Sequence, residues 1–373
     1  MKKGWQVKRL GEVVEIRNGR AQREVESANG EFPIYGSAGT LMGMARDFIC
    51  EAGTTIIGRK GNINSPIYVE TRFWNVDTAF GLAAKAGLSS RFLYFFCLSY
   101  DFSVHNRGTT IPSLVKSELM QINMPLPPLP EQRRIVGILD EAFAGLATAQ
   151  ANAEKNLQNA RALFESHLNA VFTQRGPGWV EKKLGALSRI NYGYTESASS
   201  EKVGPHFLRI TDIQGNGVDW DSVPYCTIDT SAFPKYKLTD GDIVFARTGA
   251  STGKSYLVNN PPDSVFASYL IRVQLTDEKL LPQFVNLFFQ TQSYWGRIRA
   301  GVSGSAQGGF NATKLGELVI PFPNSSKAQV SIAAQLSALS AETRRLTALY
   351  ERKLAALGEL KKSLLRQAFE GEL

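Results

Sequence analysis

The stretch GWQVKRLGEVVEIRNG, residues 4–19, returns as GWVEKKLGALSRINYG at residues 178–193. Its glycine, tryptophan, leucine and isoleucine positions coincide at an offset of 174 residues. Toward the other end of each copy, positions from Gln132 to Phe172 coincide with those from Gln329 to Phe369 at an offset of 197. The larger offset indicates extra loop residues in the middle of the second copy. The sequence therefore predicts a duplicated, pseudo-symmetric protein, which suits a partner with two separate targets.

The composition is that of a globular protein with a basic surplus. The chain has 373 residues, of which 43% are apolar and 20% charged, enough for two or three domains that each bury a core. It carries 42 Lys and Arg against 34 Asp and Glu, a formal net charge of +8. Such a surplus favours a polyanionic partner, but a basic protein without one has the same balance, so both interpretations stay open.

Cysteine and histidine placement gives no sign of a metal or cofactor. No CxxC pair occurs, and the residues are scattered: Cys50, Cys97, Cys226, His105, His167 and His206. We therefore expect no disulfide framework, no metal and no cofactor. The longest apolar run, residues 92–98, is too short to cross a bilayer, and MKKGWQVKRLGEVVE lacks the apolar core of a signal peptide. The expected location is the cytoplasm, without a membrane partner.

Each copy divides into a strand-rich part and a long helix. Short β-branched runs between glycine-bearing turns, such as TTII at residues 54–57 and DIVF at 242–245, indicate strands. Segments 92–98 and 284–289 occupy equivalent places and are expected to be buried helix. The predicted fold is α+β, with two pseudo-symmetric strand-rich domains joined by two long antiparallel coiled-coil helices. The predicted bounds are 1–130 and 174–324 for the domains, and 131–173 and 325–373 for the helices.

Apolar periodicity predicts the two long helices. Pro125, Pro127 and Pro128 prevent helix before them, and Pro130 can occupy the first helical turn. Arg-Gly-Pro-Gly at 175–178 ends the first helix. A single apolar stripe on so long a helix needs a matching partner, and the short link after the first helix favours an antiparallel one. At Asn156 and Lys353 the stripe is polar, so these residues either fix the register or reach solvent. The predicted stripes comprise Ile135, Leu139, Ala142, Leu146, Ala149, Ala153, Ala160, Leu163 and Ala170, and Ile332, Leu336, Leu339, Leu346, Tyr350, Leu357, Leu360 and Leu364.

One stretch resembles a phosphate-binding loop but departs from it. TGASTGKS, residues 248–255, has threonine where that motif needs its first glycine. The equivalent stretch of the first copy, IIGRKGNINSPIYV at 56–69, keeps Arg59 and Gly61 but lacks the GK[ST] end. A nucleotide-binding enzyme stays an alternative on this motif alone. No paired carboxylates, nucleophile–histidine pair or HExxH segment is present in the sequence, which favours a non-catalytic binding subunit.

Six loops combine basic, amide, hydroxyl and glycine residues. Arginine reads guanine edges, asparagine and glutamine read adenine, and glycine lets backbone approach phosphate. Each loop by itself is also explained by ordinary turn chemistry, but their equivalent places in a basic, duplicated chain favour DNA binding. The candidate residues are Arg20, Arg59, Lys60, Asn62, Arg107 and Thr109 in the first copy, and Tyr194, Arg247, Ser251, Lys254, Ser305 and Gln307 in the second.

The whole chain resembles the specificity subunit of Type I restriction–modification systems. The resemblance rests on the opening stretch of each half, on PLPPLPEQRRIVGILD at 125–140, on HFLRITDI at 206–213 with GDIVFARTGASTGK at 241–254, and on LKKSLLRQAFEGEL at 360–373. The second helix entry, PFPNSSKAQVSIAAQL at 321–336, lacks the glutamate before Gln329.

The resemblance implies a non-catalytic DNA reader. Two target recognition domains would each read half of a bipartite double-stranded DNA target, and the helices would space them and dock two modification (methyltransferase) subunits. Separate restriction subunits would hydrolyse ATP and cleave. A helical scaffold or oligomerisation protein with incidental charge stays the other alternative.

Overall fold

A computed structural model describes residues 4–214, 217–303 and 309–373. The chain forms two compact units, one from Met1–Lys155 with Tyr350–Leu373 and the other from Asn156–Leu349. Each unit contains one strand-rich domain and parts of both long helices. The predicted α+β class and the duplication are confirmed by the order of elements below.

In the described part of the first domain, nine strands and three short α-helices precede the first long helix. In chain order these are β1 (Gln6–Arg9), α1 (Leu10–Val13), β2 (Val14–Asn18), β3 (Phe32–Tyr35), β4 (Leu41–Ala45), β5 (Thr54–Gly58), β6 (Ile67–Val69), β7 (Trp74–Asn75), β8 (Ala79–Ala84), α2 (Ser90–Ser99), α3 (Lys116–Leu119), β9 (Asn123–Leu126) and α4 (Leu129–Thr173).

The second domain repeats this order with additional short elements in its middle, as the growing offset predicted. They are β10 (Trp179–Lys183), α5 (Leu184–Leu187), β11 (Ser188–Tyr192), β12 (His206–Leu208), β13 (Ile213–Gln214), β14 (Gly217–Val218), α6 (Phe233–Tyr236), β15 (Ile243–Ala246), β16 (Ser255–Leu257), β17 (Ser264–Phe266), β18 (Leu270–Leu275), α7 (Pro282–Phe288), α8 (Gln292–Ser303), α9 (Ala312–Gly316), β19 (Val319–Pro323) and α10 (Ser326–Glu370).

Both domains are built on a four-stranded antiparallel sheet of the same topology. The strand order is β2-β8-β5-β6 in the first domain and β11-β18-β15-β16 in the second. The strands predicted at 54–57 and 242–245 are the inner strands β5 and β15. An antiparallel ladder of β1 with β9, or of β10 with β19, closes each domain. A short parallel pair, β3 with β7 or β12 with β17, also recurs.

A helix packs its aromatic face into each domain core. In α2, Phe92 and Phe96 are at most 3% exposed, and in α7 Phe284 and Phe288 are at most 1% exposed. Each helix belongs to the same hydrophobic cluster as strands of its four-stranded sheet. The expectation of buried helix at 92–98 and 284–289 is therefore confirmed.

A fully buried glutamine fastens the first domain to α4. The Oε1 atom of Gln132 accepts a hydrogen bond from the backbone N–H of Ser89 (2.8 Å). Its Nε2 atom donates to the carbonyl oxygens of Gly87 (3.0 Å) and Pro127 (2.8 Å). Gln132 is 0% exposed, and its one amide makes three hydrogen bonds to backbone groups, of which the one to Pro127 is buried and those to Ser89 and Gly87 are part-buried.

Gln329 fastens the second domain to α10 with the same three bonds. Its Oε1 atom accepts from the N–H of Leu281 (2.9 Å), and its Nε2 atom donates to the carbonyls of Lys279 (2.7 Å) and Pro323 (2.8 Å). Gln329 is also 0% exposed. The two glutamines occupy equivalent positions of the repeat because they make the same hydrogen bonds in both domains.

The two long helices run antiparallel within each unit. In the first unit, Ile135 near the start of α4 shares a hydrophobic cluster with Leu365 and Ala368 near the end of α10. In the second unit, Leu168 near the end of α4 shares a cluster with Leu336 near the start of α10. Each helix has 45 residues, and is about 68 Å long at 1.5 Å per residue.

The predicted stripes need correction at two leucines. Leu163 is 49% exposed and Leu360 is 47% exposed, so their assignment to the seam was wrong. A straight helix with 3.6 residues per turn drifts relative to a strict heptad spacing, which rotates such positions outward. Asn156 and Lys353 are exposed as well. Of the two possible roles, fixing the helix register or reaching solvent, the structure therefore supports contact with solvent.

Candidate nucleic-acid interface

Three strand ends of the first domain meet at one edge of its sheet. Asn18 at the end of β2 pairs with Phe80 near the start of β8, and Gly58 at the end of β5 pairs with Ala79. Because neighbouring antiparallel strands alternate in direction, these ends lie side by side. The residues that follow β2 and β5, among them Arg20 and Arg59, are therefore brought together.

The loop at residues 106–114 joins this edge through backbone contacts. The carbonyl oxygen of Arg59 accepts from the N–H of Leu114 (2.8 Å), and the N–H of Gly61 donates to the carbonyl of Pro112 (2.8 Å). All six candidates of the first copy thus lie on one set of neighbouring loops. We call this set the first edge: Arg20, Arg59, Lys60, Asn62, Arg107 and Thr109.

The side chains of the first edge differ in exposure and in the contacts that restrain them. Arg20, Lys60, Asn62 and Thr109 are exposed. Arg59 is half-buried: its Nη1 atom donates to the carbonyl of Asp77 (3.2 Å) and its guanidinium lies 5.9 Å from the centre of the Phe80 ring. These contacts fix the direction of the Arg59 side chain before any ligand arrives.

Arg107 is held by an acidic neighbour. Its Nε and Nη2 atoms donate to Oε1 of Glu118 at 2.8 and 2.6 Å. Hydrogen bonding to Arg107 lowers the pKa of the Glu118 carboxyl from its ordinary value. The Arg107 side chain is 67% exposed, so solvent screens the pair and Arg107 can exchange this partner for a phosphate.

The second domain presents an equivalent edge. Tyr192 at the end of β11 pairs with Ile271 of β18, and Ala246 at the end of β15 pairs with Leu270. The carbonyl of Arg247 accepts from the N–H of Phe310 (2.9 Å), as that of Arg59 does from Leu114. We call the four described candidates here the second edge: Tyr194, Arg247, Ser251 and Lys254. The other two, Ser305 and Gln307, lie outside the described residues.

Arg247 is held in place by an aromatic ring, as Arg59 is. Its guanidinium lies 4.9 Å from the centre of the Tyr192 ring, and its buried Nε atom has no hydrogen-bond partner within the described ranges. Ser251 is half-buried and Lys254 is exposed. The Tyr194 ring packs at 5.1 Å against Tyr236 in an apolar cluster, so much of its surface stabilises the domain.

A closely packed glycine fixes each edge. The N–H of Gly19 donates to the carbonyl of Ala79 (3.0 Å) and that of Gly193 to the carbonyl of Leu270 (3.2 Å). A Cβ atom at Gly19 would lie 1.8 Å from the carbonyl oxygen of Val76, and one at Gly193 would lie 2.2 Å from that of Ala267. Only glycine allows these backbone segments to approach so closely.

The stretch that resembles a phosphate-binding loop does not have the backbone structure of one. Gly249–Ser251 forms one 3-10 turn, and Lys254 is followed by strand β16 and not by a helix. A phosphate-binding loop needs that helix, because its N-terminal N–H groups bind the phosphates. The interpretation of residues 248–255 as a nucleotide site is therefore not supported.

Sequence reasoning missed the turns that precede β8 and β18. Asp77 and Thr78 in the first domain, and Ser268 and Tyr269 in the second, lie at the centre of the two edges, where the N–H groups of Arg59 and Arg247 bind the turn carbonyls. The residue types differ between the copies, so the repeat gave no signal at these positions. In the first domain, a prediction that a strand begins at Ala79 would have placed Asp77 and Thr78 in the preceding turn.

The described ranges hold neither a membrane-spanning helix nor a cluster of metal-binding side chains. Residues 4–214, 217–303 and 309–373 contain no helix long and apolar enough to span a membrane. The same residues contain no group of three histidine, cysteine or acidic side chains placed to hold a metal ion. The three cysteines are buried and unpaired, and burial raises the pKa of the Cys50 thiol to about 12.

Comparison with protein families identifies the repeat. A family described as the Type I restriction modification DNA specificity domain matches residues 2–157 and again residues 177–354. The chain belongs to this family. Each match contains one strand-rich domain and one of the two edges, so the duplication inferred from the sequence is a duplication of the family's domain.

Relatives and solved structures agree with this assignment. The specificity subunit of the Type I restriction enzyme EcoKI from Escherichia coli K12 is 26% identical over 284 residues, which cover 71% of this chain and 61% of that subunit. The chain therefore spans less than two thirds of that relative's length.

The fold is shared with known Type I proteins. A chain from a solved type I R-M system superposes with a TM-score of 0.78 at 19% identity, covering 100% of this chain and 99% of its own length. The HsdS subunit from Thermoanaerobacter tengcongensis gives a TM-score of 0.62 at 19% identity, over 100% and 98% of the two chains. At this identity, the likeness shows a common fold.

Proposed function

We propose that this chain is the DNA-reading specificity subunit of a Type I restriction–modification complex. Each domain would read one half of a bipartite double-stranded target. The observation that carries the proposal is the double family match, one per edge-bearing domain. A duplicated reader fits two separate half-sites better than it fits one continuous site.

The exposed residues of the two edges have the chemistry that DNA needs. Arg20, Lys60 and Lys254 are exposed cations, and within the described ranges none of the three has an ion-pair partner, so they can bind phosphate without first losing a contact. Asn62 and Thr109 are exposed hydrogen-bonding groups suited to base edges. In this proposal the restrained guanidinium groups of Arg59 and Arg247 read guanine.

The long helices serve assembly in this proposal. The division into domains at 1–130 and 174–324 and helices at 131–173 and 325–373 assigns reading to the former and spacing to the latter. Apolar side chains remain exposed on the helices, among them Leu163, Val330 (55% exposed) and Leu360. We infer that two modification subunits cover such positions and that ATP-dependent restriction subunits join them. The chain itself would be non-catalytic and act in the cytoplasm, where its DNA is.

Methylation mapping tests the proposal directly. The chain is assembled with the modification subunits of its system, supplied with S-adenosylmethionine and exposed to unmethylated genomic DNA. We expect methylated adenines in one bipartite sequence with a fixed gap. Methylation without sequence preference, or the same specificity from modification subunits alone, would contradict the proposal.

Replacing Arg59 with alanine should relax one base of the first half-site. Loss of a bidentate guanine contact costs about 1–3 kcal/mol at a single position. Arg247→Ala should do the same in the second half-site, because the two arginines occupy equivalent places. The measurement is binding of the assembled complex to duplexes that vary at one position at a time.

Lysine at these positions serves as the control. Arg59→Lys keeps the charge and removes the planar fork, so it should lose discrimination while retaining most of the phosphate attraction. Equal weakening on all sequences, with a salt slope lower by about one unit, would instead assign Arg59 to phosphate. Loss of folding in Arg59→Ala would assign it a structural role.

Replacing Lys254 with alanine should leave ATP hydrolysis by the complete complex unchanged. Lys254 is exposed beside a strand and lacks the geometry to bind nucleotide phosphates. DNA affinity should fall modestly, because one cation is removed from the second edge. ATP binding by the isolated chain, abolished by this substitution, would restore the enzyme interpretation.

A further inference from the structure

The turns that precede β8 and β18 have the same backbone bonds. In the first domain the N–H of Ala79 donates to the carbonyl of Val76 (3.0 Å), and in the second the N–H of Leu270 donates to the carbonyl of Ala267 (2.8 Å). Each turn therefore has two central residues. They are Asp77 and Thr78 in one domain, and Ser268 and Tyr269 in the other.

Both turns are contacted on one side by backbone N–H groups of the arginine-bearing loop and on the other by a closely packed glycine. In the first domain the carbonyl of Thr78 accepts from the N–H groups of Arg59 (2.8 Å) and Lys60 (3.1 Å). In the second the carbonyl of Tyr269 accepts from the N–H of Arg247 (3.1 Å). With Gly19 or Gly193 closely packed beneath each turn, its backbone is rigid, and a rigid backbone presents its side chains in a defined direction.

One central residue of each turn is exposed, Asp77 in the first domain and Tyr269 in the second, whereas Thr78 and Ser268 are half-buried. Tyr269 is 61% exposed, and its ring has no aromatic or hydrogen-bond partner in the part of the chain that the structure describes. Asp77 is exposed, and in the same part its carboxylate has no ion pair or hydrogen bond. Both side chains are therefore available to a ligand, and an acid on an otherwise basic edge is unfavourable beside phosphate.

We propose that these two turns determine specificity, with Asp77 and Thr78 reading bases of the first half-site and Ser268 and Tyr269 reading bases of the second. The inference rests on the proposed function. An aspartate on a DNA-facing edge repels phosphate, so its favourable contact is the amino group of cytosine. Tyr269 offers a ring for contact with a thymine methyl group and a hydroxyl for a base edge or phosphate.

The similar frames and different side chains support this assignment. A backbone bond across the turn, a tightly packed glycine and an arginine neighbour recur in both domains, whereas the central residues differ, with Asp77 in the place of Ser268 and Thr78 in that of Tyr269. Two domains that recognise different sequences need this combination, because a shared frame positions the contact and the side chain alone selects the base.

Substitution of Asp77 with asparagine tests the first turn. Asparagine has nearly the same shape but prefers adenine over cytosine. The assembled complex carrying Asp77→Asn should therefore change or lose its preference at one position of the first half-site, by about 5- to 150-fold. The second half-site should be unchanged. The readout is adenine methylation on a plasmid library in which each position of the target is randomised.

Glu70→Gln is the matched control. Glu70 is an exposed acid that follows β6, at the end of the same sheet opposite to the first edge. Its substitution removes one negative charge and should leave every base preference unchanged. If Asp77→Asn and Glu70→Gln both raise affinity for all sequences and alter no preference, Asp77 acts only through its charge and the inference is wrong.

Tyr269→Ala and Tyr269→Phe test the second turn. Tyr269→Ala should reduce discrimination at one position of the second half-site, and Tyr269→Phe should retain what the ring contributes. Thermal melting of both variants distinguishes loss of reading from loss of folding. Unchanged half-sites in a stable Tyr269→Ala variant would overturn the inference and leave the proposed function intact. A wild-type complex without sequence preference would overturn both.

Discussion

Replacing Gln132 with leucine should unfold the junction between the first domain and α4. Leucine has a similar volume but leaves the carbonyl of buried Pro127 and the N–H of half-buried Ser89 without a partner, and it removes the bond to the carbonyl of exposed Gly87. Each unsatisfied buried group costs about 1–3 kcal/mol, so we expect the unit to lose at least about 2 kcal/mol. Hydrogen exchange of the full chain measures this, with lost protection first at Ser89.

Gln329→Leu should have the same effect in the second domain, with the loss centred on the amide of Leu281. Gln150→Leu is the control, because the Gln150 side chain is exposed on α4 and, among the described residues, its one hydrogen bond goes to Glu154. That substitution should change stability by less than about 0.5 kcal/mol. Equal protection in Gln132→Leu and Gln150→Leu would contradict the role given to the buried glutamines.

Replacing Gly19 with alanine should disrupt the first edge. The added Cβ atom would lie 1.8 Å from the carbonyl oxygen of Val76, so the turn before β8 must move. Overpacking of this kind costs roughly 1–3 kcal/mol or more. Because the turn carries Asp77 and Thr78, we expect loss of the first half-site preference while the second half-site is still read.

Gly193→Ala should abolish the preference at the second half-site while the first half-site is still read, since the added Cβ atom would lie 2.2 Å from the carbonyl oxygen of Ala267. Gly145→Ala is the control: Gly145 lies inside α4 with nothing within 4 Å of an added Cβ atom. There alanine should stabilise the helix by about 0.5–1 kcal/mol. Methylation mapping and thermal melting together measure both effects. A Gly19→Ala variant with normal stability and an unchanged first half-site would show that the close approach is unimportant.

The sequence places the candidate DNA-binding residues in equivalent loops, and their role in DNA binding stays a prediction, but it does not give the contacts that hold them. The residues Arg59 and Arg247 were recognised as equivalent because each belongs to a similar strand–loop segment, and the structure gives them the same backbone bonds. The salt bridge of Arg107 and the ring packing of Tyr194 could not be predicted. Their partners, Glu118 and Tyr236, are distant from them in sequence, and no local pattern encodes such contacts.

The sequence by itself determined the duplication, the two long helices and their ends, because repeated residues, apolar periodicity, proline and glycine act within short segments. The tertiary structure alone decided which strand ends form each edge, which seam leucines face solvent, and which turn residues are presented. Those outcomes depend on strand register and on packing between distant segments. The free energy of such contacts is set by both segments together, so neither segment's sequence alone predicts it. Asp77 and Tyr269 show this most clearly, since only the pairing of β8 and β18 with their neighbours places them at the centre of the edges.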